Sequence, residues 1–184
     1  MNPWGSVHVT RARQVGELME LRNAELAAPE VPVHAHYEQL RASDSRQALG
    51  FIGHALPRAA AIHWAAALVA AQPSGAQEDR AALDQVLAWC DQPSDDRRRH
   101  AYALAQMADL HAPERTLATA LFYSGGSIAP ANLNPVHPAP ALANRLAVVA
   151  IVEAAYRGGD PQAFFAEALR RAEAIAEHGI AART

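Results

Sequence analysis

Apolar residues recur at helical spacing through most of this chain, and proline, glycine and short polar residues cut the pattern into segments. The first predicted helix spans residues 11–26, with Val15, Leu18, Met19 and Leu26 on one stripe and Thr10 as N-cap. A short helix starts near Pro32 with Val33, Tyr37 and Leu40 in line, and Ser43 or Asp44 caps another carrying Leu49, Ile52 and Leu56. Pro57 opens a helix whose residues 59–71 are apolar almost all round, the mark of a helix buried on most sides. Residues 77–91 place Leu83, Val86, Leu87 and Cys90 on one face, and Ser94 caps the next helix, with Asp95 and Asp96 in its first turn. Pro113 starts a helix through Leu117, Leu121 and Phe122. A long helix over residues 139–157 stops at Gly158-Gly159, and the Asp160-Pro161 start leads a last helix to His178-Gly179. The pattern predicts an all-α fold of about eight helices packed as antiparallel hairpins, with a Gly/Pro-rich strap between two late helices. Residues 1–184 read as one domain, with residues 1–10 as a candidate flexible N-terminus; Val7-His8-Val9 has extended character but no evident strand partner.

Composition narrows the chemistry. Alanine dominates, which favours helices and lets them approach closely. A net charge of −3 leaves no basic field for nucleic acid. All 16 basic residues are arginine, so Schiff-base chemistry, a P-loop lysine and a lysine base are excluded. The single cysteine, Cys90, has no internal partner, which fits a reducing compartment. The first residues carry no apolar signal core, and the most apolar run is too short to span a bilayer. No membrane insertion, cofactor or catalytic residue is expected.

The stretch FYSGGSIAPANLNPVHPAP, residues 122–140, interrupts the helical pattern. A phosphate cradle needs N–H groups converging at a helix start, whereas Gly125 and Gly126 follow a helix. Ser124 lacks the GxSxG frame of a nucleophile elbow. The residues fit better a C-cap glycine followed by an extended strap stiffened by Pro130, Pro135, Pro138 and Pro140, a preformed surface for a partner. The candidate partner-binding residues are Tyr123, Ser124, Gly125, Gly126, Ser127, Asn132, Asn134 and His137. The run Arg97, Arg98 and Arg99 is either a solvated helix face or a second candidate surface. His34 and His36 sit two apart on a helix and so face apart, and no metal-ligand set is present in the motifs. Glu78-Asp79 and Asp95-Asp96 are explained by the helix dipole. Trp64 and Trp89 read as core, and Trp4 as either a docking anchor or a residue folded back on the body.

Three motifs together, GFIGHALPRAAAIHWAA (residues 50–66), VLAWCDQPSDDRRRHAYALA (86–105) and LFYSGGSIAP (121–130), resemble a bacterial family of unknown function often associated with type VI secretion gene clusters. The resemblance covers residues 31–179 and rests on Ala55-Leu56-Pro57, Trp64, Trp89, Pro93-Ser94 and residues 124–130; where many relatives carry a second tryptophan, this chain has His63. It implies a non-enzymatic cytoplasmic adaptor or co-chaperone whose partner is a secretion effector or chaperone. Two alternatives stay open: a small-ligand-binding protein or hydrolase-like enzyme using SGGS, and an oligomeric scaffold. The oligomeric state is not read from the sequence.

Overall fold

Helix boundaries follow local caps wherever a cap is present. A computed structural model describes residues 3–130 and 132–180, and among these are nine α-helices: α1 (Ala12–Leu18), α2 (Val33–Ser43), α3 (Ser45–Ala55), α4 (Arg58–Ala70), α5 (Gln77–Asp91), α6 (Asp95–Ala105), α7 (Pro113–Tyr123), α8 (Leu142–Arg157) and α9 (Pro161–His178). Asp44, Ser94 and Asp160 accept hydrogen bonds from the first-turn amides of α3, α6 and α9. Successive helices α5, α6, α7 and α8 each pack against the next, α5 and α6 across a short turn and α7 and α8 across the long segment between them. Helix α4 lies at the centre, against α5, α7, α8 and α9. Its alanines Ala60, Ala61, Ala65 and Ala66 are buried and allow close approach, while Trp64 donates its indole N–H to the Ala168 carbonyl of α9 at 2.9 Å.

Several expectations are corrected. The first helix ends at Leu18, followed by a left-handed Glu20 (φ 59°) and a single 3-10 turn, Asn23–Glu25. The chain turns back so that Leu26 covers Gly16, where a Cβ would lie 2.6 Å from the leucine Cδ2. Arg11 rather than Thr10 is the N-cap, and the Gln14 side chain accepts from both backbone amides at 3.0 Å. Pro57 is the N-cap of α4 rather than its first helical residue. Helix α8 begins at Leu142, because a turn from Leu142 N–H to Ala139 O, 3.2 Å, precedes it.

The N-terminal segment finds partners that are remote in sequence. Thr10 O and Val31 O accept from Val33 and Ala12 amides, closing an isolated bridge between Arg11 and Pro32. Ser6 N–H reaches Ala176 O at 2.9 Å. Trp4 is folded back and 2% exposed, against His34 and Tyr37 at ring distances of 5.5 and 5.1 Å. His36 instead meets Phe51, so the two histidines face apart. Tyr37 donates to Glu173 at 2.5 Å, and burial together with that carboxylate pushes the phenol pKa up.

Polar groups also cross the core. Glu114 of α7 is fully buried and accepts both arms of Arg157 of α8, at 2.5 and 2.6 Å. Asp79, expected to serve only the α5 dipole, is buried and accepts from Ser74 Oγ (2.6 Å) and Asp109 N–H (3.0 Å), joining α5 to the α6–α7 connection.

Candidate functional site

The stretch between α7 and α8 is a closed loop, not the extended strap expected from its prolines. Ser124 ends α7 with right-handed dihedrals, and the left-handed glycine is Gly126 (φ 66°), two residues beyond the cap. Ile128 N–H then donates to Val136 O at 2.8 Å, which brings the chain back upon itself. The Ser127 hydroxyl sits inside this closure and accepts from Ala129 N–H and Val136 N–H, both at 3.1 Å. The His137 ring donates from Nδ1 to Gly126 O at 3.3 Å. The two ends of residues 127–136 therefore meet, as in an Ω-loop.

Arginines of α6 hold the base of this loop. Arg98 is 3% exposed, and its guanidinium donates to Phe122 O, to Ser127 O (2.9 Å) and to Asp95 Oδ1 (2.6 and 2.9 Å). Arg99 donates to Asp95 Oδ2 (2.8 Å), Ser127 O (2.8 Å) and Ala129 O (3.1 Å). Three loop-side carbonyls and one carboxylate thus absorb two guanidinium groups. The Arg99 and Arg98 hydrogen bonds, in that order, hold the Asp95 carboxyl below its ordinary pKa. Phe122 completes the base: its ring stacks on Tyr102 at 4.2 Å and lies 4.9 Å from the Arg98 guanidinium carbon. A Cβ at Gly126 would stand 3.1 Å from both Arg98 Nη2 and Asp95 Oδ1, so glycine serves here in conformation and in space.

The two surfaces expected separately are therefore one site. Arg98 and Arg99 meet residues 122–129, whereas Arg97 turns away and donates to the Gln92 backbone and side-chain oxygens at 2.8 and 2.9 Å. Arg98, read as part of a solvated or partner-facing run, points inward. The Ser124 hydroxyl donates to Leu121 O at 2.8 Å and that of Ser127 accepts from backbone, so both are engaged with main chain. A shallow cleft of about 320 Å³ lies beside Gly125 and Gly126, walled by Trp89, Pro93 and Asp95. Tyr123 is half-buried; Asn132, Leu133 (60%) and Asn134 are exposed on the loop's outer turn, and Val136 (52%) and His137 are exposed where the loop closes. Sequence reasoning missed those two apolar residues, as well as Asp95, Phe122 and Tyr102. The spacing of Asp95 to Arg98 and Arg99, three and four residues on a helix, was the available signal for the clamp.

The chain belongs to the DUF6931 family, a family of unknown function, whose profile matches residues 36–176 and so includes the whole loop and its arginine clamp. No curated protein and no solved structure matches the chain.

Proposed function

We propose that this protein is a non-enzymatic adaptor that docks another protein on the outer turn of residues 127–137. The observation that carries the reading is a loop fixed at its base that presents Leu133, flanked by Asn132 and Asn134, and Val136 at the closure to solvent. Two exposed aliphatic side chains on a pinned turn are costly to leave in water and cheap to dock, since little ordering entropy remains to be lost. The flanking amides supply hydrogen bonds at the rim of such a contact. The partner we assign is a secretion effector or its chaperone in the bacterial cytoplasm, in a type VI secretion context. That assignment is supported by the three motifs that resemble proteins of such clusters.

The test is capture of the tagged protein from its native cell, followed by mass spectrometry. A near-stoichiometric effector or chaperone is expected with the parent chain and not with the L133S/V136S variant, which should melt at the same temperature. Recovery of the chain alone, or of the same partner by both chains, would overturn the reading.

A further inference from the structure

His54 is buried near the end of α3, beside a cavity of about 220 Å³ between the N-terminal segment, the end of α3 and the starts of α4 and α8. Its Nδ1 lies 2.7 Å from Gly50 O, one turn back on the same helix. A carbonyl only accepts, so Nδ1 carries the proton and Nε2 the lone pair. Nε2 is sealed from solvent and has no hydrogen-bond partner among the described residues. A neutral imidazole tolerates that arrangement, because a buried lone pair costs less than a buried charge. An imidazolium does not: its second N–H would meet no acceptor, and its charge would sit out of water. Burial accordingly pushes the His54 pKa down.

The charged neighbours do not offset this. Arg145 at the start of α8 disfavours the imidazolium, and Glu20, just beyond α1, favours it. The two are bound to each other at 2.8 Å, so their fields largely cancel at the ring. His8 of the N-terminal segment and Arg58 of α4 border the same cavity, and both are exposed. On α2, His34 turns to Trp4 and His36 to Phe51. On α9, Glu167 and Glu173 are held by arginines.

The segments around His54 are unequally attached to α3. Asn144 donates from Nδ2 to Gly53 O (2.8 Å) and Leu56 O (2.9 Å), locking the start of α8 to the end of α3. The turn that follows α1 is held less firmly. Glu20 within it has a φ of 59°, the one positive value at a non-glycine residue among those described, and such a conformation is strained. Its pair with Arg145 is partly exposed, and pairs of that kind contribute little. The Met19 and Leu21 amides bond back to Val15 O (2.9 Å) and Gly16 O (3.0 Å) of α1 rather than to α3. Met19 Cε reaches α3 at Gly50, the residue whose carbonyl His54 holds; a Cβ there would stand 3.6 Å from it.

We propose that His54 is an acid-operated latch. With the ring neutral, the turn over residues 19–26 closes against α3. With the ring protonated, that turn swings away from α3 and α8, water reaches the imidazolium, and Glu20 leaves its left-handed conformation. The closed form resists the proton, so closure is complete above the ordinary histidine value of 6.5 and weakens as pH falls below it.

The test is native-state hydrogen exchange on the full chain from about pH 7.5 to about pH 5, each rate divided by that of an unstructured amide at the same pH. Protection of the Met19 and Leu21 amides should fall by up to about tenfold per pH unit below the ordinary histidine value, while the amides of α4 keep theirs. In His54→Leu the turn should stay protected across the range. A second measurement needs no variant: the His54 ring resonances, followed by NMR, should titrate over the pH range in which the turn loses protection. Turn protection that does not change with pH, an equal loss in α4, a loss that persists in His54→Leu, or a ring that titrates with the turn still closed would each overturn the proposal.

Discussion

Two of the arginine–carboxylate pairs in this molecule are buried in opposite senses. In the pair joining α7 to α8, the Glu114 side chain is fully buried and Arg157 is 25% exposed. In the pair at the base of the loop, the Arg98 side chain is 4% exposed and Asp95 is 55% exposed. The Glu114 carboxylate meets the two arms of one guanidinium, so its compensation inside the core hangs on Arg157. The Arg98 guanidinium divides its donors among Asp95 and the carbonyls of Phe122 and Ser127, so losing the carboxylate alone leaves its two bonds to carbonyls in place. One pair holds packed helices together; the other holds an irregular segment against a helix. Their failure should therefore differ in extent as well as in size.

The largest effect is expected from Arg157→Met. It leaves the fully buried Glu114 carboxylate without its partner, and breaking such a pair costs about 3–5 kcal/mol. Urea unfolding should show that loss as a cooperative destabilisation of the whole domain. A loss under about 1 kcal/mol would mean that Arg157 is not the partner that compensates the buried carboxylate.

Arg98→Ala comes next, at about 3 kcal/mol, because it strips charged donors from Phe122 O, Ser127 O and Asp95 together. Hydrogen exchange should locate the change: the amides of Ile128 and Val136 should lose protection before those of α4 do. Uniform loss across the domain would show that the loop and the helical body open as one unit.

Gly126→Ala tests the same base more gently. A side chain at φ 66°, with its Cβ 3.1 Å from the Arg98 and Asp95 atoms, should cost about 1 kcal/mol. A neutral result would mean that the guanidinium shifts aside without penalty.

Asp95→Asn should have the smallest effect, below about 1 kcal/mol, since that carboxylate is more than half exposed and screened. The sign of its pH dependence follows from its depressed pKa. The contribution is complete above the ordinary aspartate value of 3.8 and is lost as pH falls through the lower folded value. Stability measured between pH 5 and pH 2, ranges of about that width being where acidic linkage acts, should converge for the parent and the Asp95→Asn chain. Curves that stay parallel would remove Asp95 from the clamp.

Much of the helical frame is legible without coordinates. Helices α5 and α9, the caps at Asp44, Ser94 and Asp160, and the all-round burial of α4 follow from local rules that act within one or two turns. The first helix was predicted too long because its ending depends on Leu26 returning over Gly16, a packing event that propensity does not register. Prolines in the α7–α8 segment correctly excluded helix, but an extended strap and a closed loop use the same φ values. The choice between them rests on the Ile128–Val136 hydrogen bond and on the Ser127 hydroxyl, contacts across eight and nine residues.

The candidate sites divide along the same line. Composition and motif reading settled that chemistry depending on lysine is excluded and that the Gly/Pro stretch is the principal break in the helical pattern. Which of three successive arginines faces inward was decided only in the tertiary structure. On an α-helix, neighbouring residues point about 100° apart, and the position of α7 selects Arg98 for burial while Arg97 turns to Gln92. The cavity beside His54 is still less local, since its walls come from the N-terminal segment, α3, α4 and α8. Periodicity marks where helices begin and end because their hydrogen bonds span four residues. Burial of an arginine, or the meeting of four segments around one cavity, is set by partners tens of residues away, and so arises only from the packing.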